Sequence, residues 1–135
     1  MKIQSPLVLA LLSTVALLPA TAFLVAGIIF FGVAVVTIAT GTVFLPDGGL
    51  DYEFLYLSLS YVAGVFAIWQ FWMLAIATVR GTRVPFCWRL GIAIACGCIS
   101  APGASLLGGP RTLAFVVLPV CVLVAWLLRL QYRRP

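Results

Sequence analysis

The sequence predicts an all-α protein, a polytopic transmembrane helical bundle with very short loops. Of its 135 residues, 64% are hydrophobic and only 8% are charged, whereas a soluble domain carries about 25% charged residues. Within a bilayer core only helices and closed barrels satisfy the backbone, and the apolar runs are continuous rather than alternating. We therefore expect helices, arranged as one integral membrane domain over residues 1–135.

Charged residues divide the chain into four apolar runs, which cover residues 3–46, 54–79, 90–110 and 112–128. About 20 apolar residues are needed for one helical crossing, so each of the last three runs fits a single crossing. Acidic residues separate the first run from the second, arginines separate the second from the third, and Arg111 separates the third from the fourth. The expected loops are therefore short.

The first run is about twice as long as one crossing requires, at 1.5 Å per helical residue. Three interpretations remain open. One is a single crossing over roughly residues 23–44, preceded by an apolar helix that tilts, kinks at Pro19 or lies along the bundle. Another is a hairpin of two crossings that turns near residues 19–21. The third is a cleaved signal peptide, because Lys2, the leucine-rich stretch and the sequence of residues 20–22 resemble its three regions.

The distribution of basic residues favours four crossings over five. With four crossings and both termini inside, seven of the eight basic residues are cytoplasmic and only Arg111 is outside, as the positive-inside rule requires. A hairpin with the N-terminus outside leaves two basic residues outside, and the remaining arrangements leave six there. We expect four crossings, with five as the alternative, and cytoplasmic termini. The compact chain and the lack of retention signals point to a plasma membrane, such as a bacterial inner membrane.

Two faces are expected to define the packing. In lipid, small residues mark helix–helix contacts, and the third run has such a stripe at i, i+4, i+7 and i+11: Ala93, Gly97, Ser100 and Ala104. The second run has a bulky stripe that we expect to face lipid: Tyr61, Val65, Ile68, Trp72 and Ile76. Gln70 lies on the opposite side of that helix, at 100° per residue.

Polar and basic residues supply two candidate sites. Gln70 is the most polar side chain at membrane depth, and an interhelical hydrogen bond is a simpler role for it than a substrate or ion contact. The arginines at the ends of the runs form an expected cytoplasmic basic collar: Arg80, Arg83, Arg89, Arg129, Arg133 and Arg134. The collar fixes orientation, and it is also suited to anionic lipid or an acidic partner.

Metal and disulfide sites are not expected. Three acids, Asp47, Asp51 and Glu53, lack the spacing of an EF-hand and are interpreted as a solvated outer turn that helps to set topology. Cys96 and Cys98 are two residues apart, so on a helix their thiols point about 200° apart and cannot share a copper ion. Together with Cys87 and Cys121, they are interpreted as small apolar residues that fill space.

Enzymatic chemistry is also not expected. The chain has no histidine and one lysine, Lys2, so Ser105 in a Gly-Ala-Ser sequence has no base to activate it. None of the predicted crossings carries an ionisable residue of the kind that proton-coupled transporters use. We expect no cofactor and no nucleic-acid partner, since the basic residues sit at the ends of apolar runs where they meet lipid headgroups.

Three functions remain open from the sequence. The first is helix–helix interaction within the bilayer, as an accessory or assembly subunit or an immunity-type protein, with a membrane-protein partner or a homo-oligomer. An alternative is an oligomeric transport or pore component, in which a path is lined by Gln70, Ser58, Ser60 and the threonine and serine residues of the first run. A third is a lipid-binding protein that uses the arginine collar.

Overall fold

The computed structural model describes residues 5–41, 51–85 and 88–133. Of these residues 89% are helical, and none of them lies in a strand. Four helical segments are long and apolar enough to cross a membrane: Pro6–Ala39, Tyr52–Val79, Trp88–Leu106 and Pro110–Tyr132. The predicted all-α class with four crossings is thus confirmed. The sequence predictions for Lys2, Asp47, Cys87 and Arg134 lie outside the described residues.

The long first run forms one apolar segment of 34 residues. Helix α1 covers Pro6–Ala26 and helix α2 covers Ile28–Ala39. The alternative of a hairpin with five crossings is wrong, because Pro19 lies inside α1 and the helix continues past residues 19–21. The interruption falls instead at Gly27, between the two helices.

Tyr61 explains the interruption at Gly27. Its hydroxyl donates a hydrogen bond of 2.7 Å to the carbonyl of Leu24, and its ring stacks on Phe31 with 5.3 Å between ring centroids. A Cβ atom at position 27 would lie only 2.5 Å from Cε2 of Tyr61. Glycine therefore lets a neighbouring helix reach the backbone of the first segment, and sharp changes in helices often occur where such a side chain inserts.

Helix α3, Tyr52–Val79, is the central helix, and specific backbone and side-chain interactions define where it begins and ends. At its start, Oδ1 of Asp51 accepts a hydrogen bond from the Phe54 amide at 3.1 Å, which satisfies one of the free donors of a helix N-terminus. At its end, Gly81 adopts φ +71°, and the Thr82 amide donates to the Ala77 carbonyl at 2.9 Å. This αL termination reverses the chain at the basic turn.

The remaining segments are α4 (Trp88–Gly108), α5 (Pro110–Thr112), a π-helical turn (Leu113–Val117) and α6 (Leu118–Tyr132). Pro102 lies inside α4, which continues to Gly108. Gly109, with φ +74°, makes the turn between α4 and α5. The π-helical turn precedes Pro119, which has no amide to donate in an α-helical pattern; the Leu118 amide bonds Leu113, five residues back.

The core lies around α3, which packs against α1, α4 and α6. Leu17 of α1 and Leu127 of α6 are fully buried there. Helix α2 contributes little to it, since Ala34 is its one buried residue. Most of the buried residues therefore lie on or beside α3, whereas most residues of α2 are exposed.

Candidate functional site

The small residues of α4 lie against α3 of the same chain. Ala93 is 0% exposed, and a Cβ atom on Gly97 would lie 3.6 Å from Cζ of Phe71. Ser100 packs beside Gly64, whose Cβ position lies 3.5 Å from the Ser100 Cβ atom. Ala104 is half-buried. This stripe is thus covered by α3, so it offers little surface to a second protein.

Helices α3 and α4 also approach each other closely at Gly103. A Cβ atom there would lie 2.7 Å from Cβ of Ser60. Ser60 is buried, and its hydroxyl has no hydrogen-bond partner among the described residues. Its role is therefore steric: a small side chain facing a residue with none lets the two backbones approach.

The bulky stripe of α3 was expected to face lipid, and this prediction is wrong for its aromatic members. Tyr61 packs on Gly27 and Phe31 as described above, and Nε1 of Trp72 donates to Oγ1 of Thr21 at 2.9 Å. Trp72 and Ile68 also pack against the core. The physical reason is that α1 supplies acceptors for the polar tips of both aromatic residues, which lipid cannot do.

The outward face of α4 has a regular pattern of large and small side chains. Ile92, Ile99 and Leu106 recur every seven residues and are all exposed. Ala95, Cys98 and Pro102 lie between them and are also exposed. Gly91 begins the same face, and a Cβ atom there would have no neighbour within 4 Å. We call these seven residues the outer face of α4.

Basic residues gather at the end of the bundle where α3 and α6 finish and α4 begins. The described members of the collar are all exposed: Arg80, Arg83, Arg89, Arg129 and Arg133. Arg89 lies over the ring of its neighbour Trp88, at 5.9 Å from the centroid, a cation–π geometry. The two described acids, Asp51 and Glu53, are at the opposite end of α3. Charge is therefore strongly asymmetric along the bundle.

Gln131 joins the last helix to the basic turn, and sequence reasoning missed it. Its Nε2 donates to Oγ1 of Thr78 at 2.9 Å and to the carbonyl of Thr82 at 3.1 Å. Its Oε1 accepts from the Val84 amide at 3.4 Å. In the sequence, the one indication of this role is a glutamine close to the C-terminal arginines. A turn such as the one after α3 has backbone groups that need hydrogen-bond partners. Gln131 thus holds the α3–α4 loop against α6.

Replacing Gln131 by leucine is expected to release that loop. The substitution removes two donors and one acceptor, and interhelical side-chain bonds in membrane proteins are worth about 0.6 kcal/mol each on average. We expect a destabilisation of about 1 kcal/mol and a rate of trypsin cleavage after Arg83 that is several-fold higher. Limited proteolysis in detergent, followed by mass spectrometry, measures this rate. Equal rates for Gln131→Leu and the wild type would contradict this role of Gln131.

The remaining sequence candidates are placed as follows. Gln70 is half-buried, and its side chain forms no hydrogen bond to a described residue. Ser58 is buried and donates to its own helix, at the Phe54 carbonyl, and Ser105 donates to the Pro102 carbonyl. Cys96, Cys98 and Cys121 are free thiols. Within residues 5–41, 51–85 and 88–133, no group of three metal-ligating side chains comes together.

Two features of this geometry are candidates for function: the outer face of α4, and the basic end of the bundle, where Gln131 bonds Thr82 and Val84. Compared with protein-family models, with curated proteins and with solved structures, the chain shows no significant match to any of them.

Proposed function

We propose that this protein acts by helix–helix interaction within the bilayer, as an accessory or assembly subunit or an immunity-type protein, and that α4 presents the interacting surface. The observation that carries the proposal is the outer face of α4, where small residues alternate with large ones and all but Gly91 are exposed in the part of the chain that the structure describes. Lipid chains do not require small residues at such positions, whereas a close helix contact does.

The spacing of this face is suited to one partner helix. Ile92, Ile99 and Leu106 repeat every seven residues, which is the period of helices that cross at about 20° and interlock their side chains. Ala95 and Cys98 leave hollows between the large residues, into which side chains of a second helix fit. The contact would gain van der Waals packing that disordered lipid chains provide less well.

The pore alternative has weaker support. Two of its expected lining residues, Ser58 and Ser60, are buried in the bundle, and Ser60 faces Gly103 of α4. Neither side chain is available to line a path between copies of the chain. For localisation we propose a plasma membrane with both termini cytoplasmic, a choice supported by the gathering of the arginines at one end of the bundle.

The test adds large side chains to the outer face of α4 and, as a control, to its buried face, at positions close together in the sequence. We expect Ala95→Leu combined with Cys98→Leu to fill the hollows and reduce recovery of the partner, or of the homo-oligomer, at least about tenfold, which corresponds to about 1.4 kcal/mol. Thermal stability of the purified protein should not fall. Recovery is measured by mild-detergent affinity purification of the tagged protein, followed by quantitative mass spectrometry.

Two controls make the result specific. Val122→Leu adds volume to an exposed position on α6 and should leave recovery unchanged. Ala93→Leu adds volume to the buried face of α4 and should destabilise the bundle itself, because overpacked cores cost about 1–3 kcal/mol. If the double variant at Ala95 and Cys98 recovers as much partner or homo-oligomer as the wild type, the outer face of α4 is not the interacting surface.

A further inference from the structure

A small cavity of about 180 Å³ lies between α1 and α3 at the basic end of the bundle. Ala10, Ser13 and Thr14 line it from α1, and Ala75, Val79 and Arg80 line it from α3. Its lining residues therefore combine apolar side chains with serine, threonine and arginine.

Ser13 is the unusual member of this cavity. Its side chain is only 2% exposed, and its hydroxyl has no hydrogen-bond partner among the residues that the structure describes. The neighbouring Thr14 hydroxyl bonds its own helix at the Ala10 carbonyl, at 2.9 Å. A buried hydroxyl without a partner is unfavourable, and Ser13 is one of the residues that line the cavity.

Arg80 supplies a positive charge at the mouth of the same cavity. It is exposed and caps the C-terminus of α3. The described carboxylates, on Asp51 and Glu53, lie at the start of that helix, roughly 40 Å away at 1.5 Å per residue. No acidic side chain among the described residues is therefore near enough to neutralise Arg80, and the cavity favours an anion.

A second, apolar groove lies farther along the first segment and α3. It has a volume of about 730 Å³ and is lined by Leu24, Ile28 and Phe31 of the first segment and by Tyr61, Trp69 and Trp72 of α3. Trp72 also lines the small cavity, so its side chain, which is bonded to Thr21, separates the two spaces. The two spaces together form a crevice between the first segment and α3, whose lining changes from charged to hydroxyl-bearing to apolar along its length.

We propose that this crevice binds one anionic phospholipid. Arg80 binds the phosphodiester by charge complementarity, the Ser13 hydroxyl donates to a phosphate or ester oxygen, and an acyl chain occupies the apolar groove. The gradient of polarity along the crevice matches the gradient along such a lipid at the headgroup level. The proposal is independent of the helix–helix function, because it uses α1, α2 and α3 rather than the outer face of α4.

The test measures lipid-dependent stabilisation of the full-length protein in dodecyl maltoside. We expect dioleoyl-phosphatidylglycerol to raise the melting temperature, as any ligand of the native state does, while dioleoyl-phosphatidylcholine and inorganic phosphate do not. Arg80→Gln should raise the half-saturating lipid concentration about fivefold, the effect of one basic residue near an anionic surface. Arg129→Gln, an exposed arginine on α6 that does not line the crevice, should leave it unchanged.

Ser13→Ala separates ligand binding from a merely structural role. Without lipid, the variant should be at least as stable as the wild type, because it loses an unpartnered buried hydroxyl. With phosphatidylglycerol, its half-saturating concentration should rise several-fold. Unaltered lipid affinity in Ser13→Ala, equal stabilisation by phosphatidylcholine, or equal stabilisation by inorganic phosphate would each overturn the proposal.

Discussion

Gly103→Ala is expected to be less stable than Gly91→Ala by about 2–3 kcal/mol, although both variants add one methyl group to α4. Both gain the same helix propensity, about 1 kcal/mol. At Gly103 the new Cβ atom would meet Cβ of Ser60 at 2.7 Å, whereas at Gly91 it would have no neighbour within 4 Å. A Cβ atom cannot rotate away from its backbone, so α3 and α4 must separate, and overpacking of this kind costs about 1–3 kcal/mol.

The measurement is unfolding in mixed micelles of detergent and dodecyl sulfate, followed by tryptophan fluorescence. A second substitution tests the cause: Ser60→Gly removes the opposing Cβ atom and should restore part of the stability lost in Gly103→Ala. The two effects should then be strongly non-additive, as expected for residues in contact. Equal stability of the two alanine variants would show that α3 and α4 do not approach each other at this point.

Gly27→Ala is expected to destabilise the protein by about 2 kcal/mol relative to Gly32→Ala in the same apolar segment. The new Cβ atom would lie 2.5 Å from Cε2 of Tyr61, while the matched position at Gly32 is open. Tyr61 cannot move without losing its hydrogen bond to Leu24 and its stacking on Phe31. The substitution therefore disrupts the contact between the first segment and α3.

The same unfolding assay tests this prediction, with Tyr61→Ala as the second arm. In the Tyr61→Ala background the ring is absent, so Gly27→Ala should become neutral or stabilising, by up to about 1 kcal/mol from helix propensity. A cost for Gly27→Ala that persists without the ring would mean that the glycine is needed for its backbone conformation alone. The interruption at Gly27 would then have a cause other than Tyr61.

The number of crossings was predictable, because charge alone divides the chain. Uncharged runs and the length of a bilayer crossing give four segments, and the described residues contain four helical segments long and apolar enough to cross a membrane. The continuity of the first segment was not predictable. Pro19 suggested a break, but a helix tolerates a proline when its neighbours supply the packing, and the interruption depends on Tyr61, about 35 residues away.

The candidate sites were less predictable than the fold. Helical periodicity shows which residues share a face of a helix, but not whether that face contacts another helix or lipid. Tyr61 and Trp72 were expected to face lipid, since large apolar residues usually do, yet each has an acceptor on α1. Ser13 and Gln131 were not singled out. The role of Ser13 depends on a cavity and that of Gln131 on a loop, and both of these exist only after the helices have packed.

The unequal lengths of the four segments bear on the bilayer around the protein. The first segment has 34 residues and α4 has 21, which correspond to roughly 51 Å and 31 Å of helix, against a hydrocarbon thickness of about 30 Å. Tilting of the first segment and the interruption at Gly27 can absorb part of this hydrophobic mismatch, and the adjacent lipid can absorb the remainder. We therefore expect the bilayer to be thicker beside α1 and α2 than beside α4.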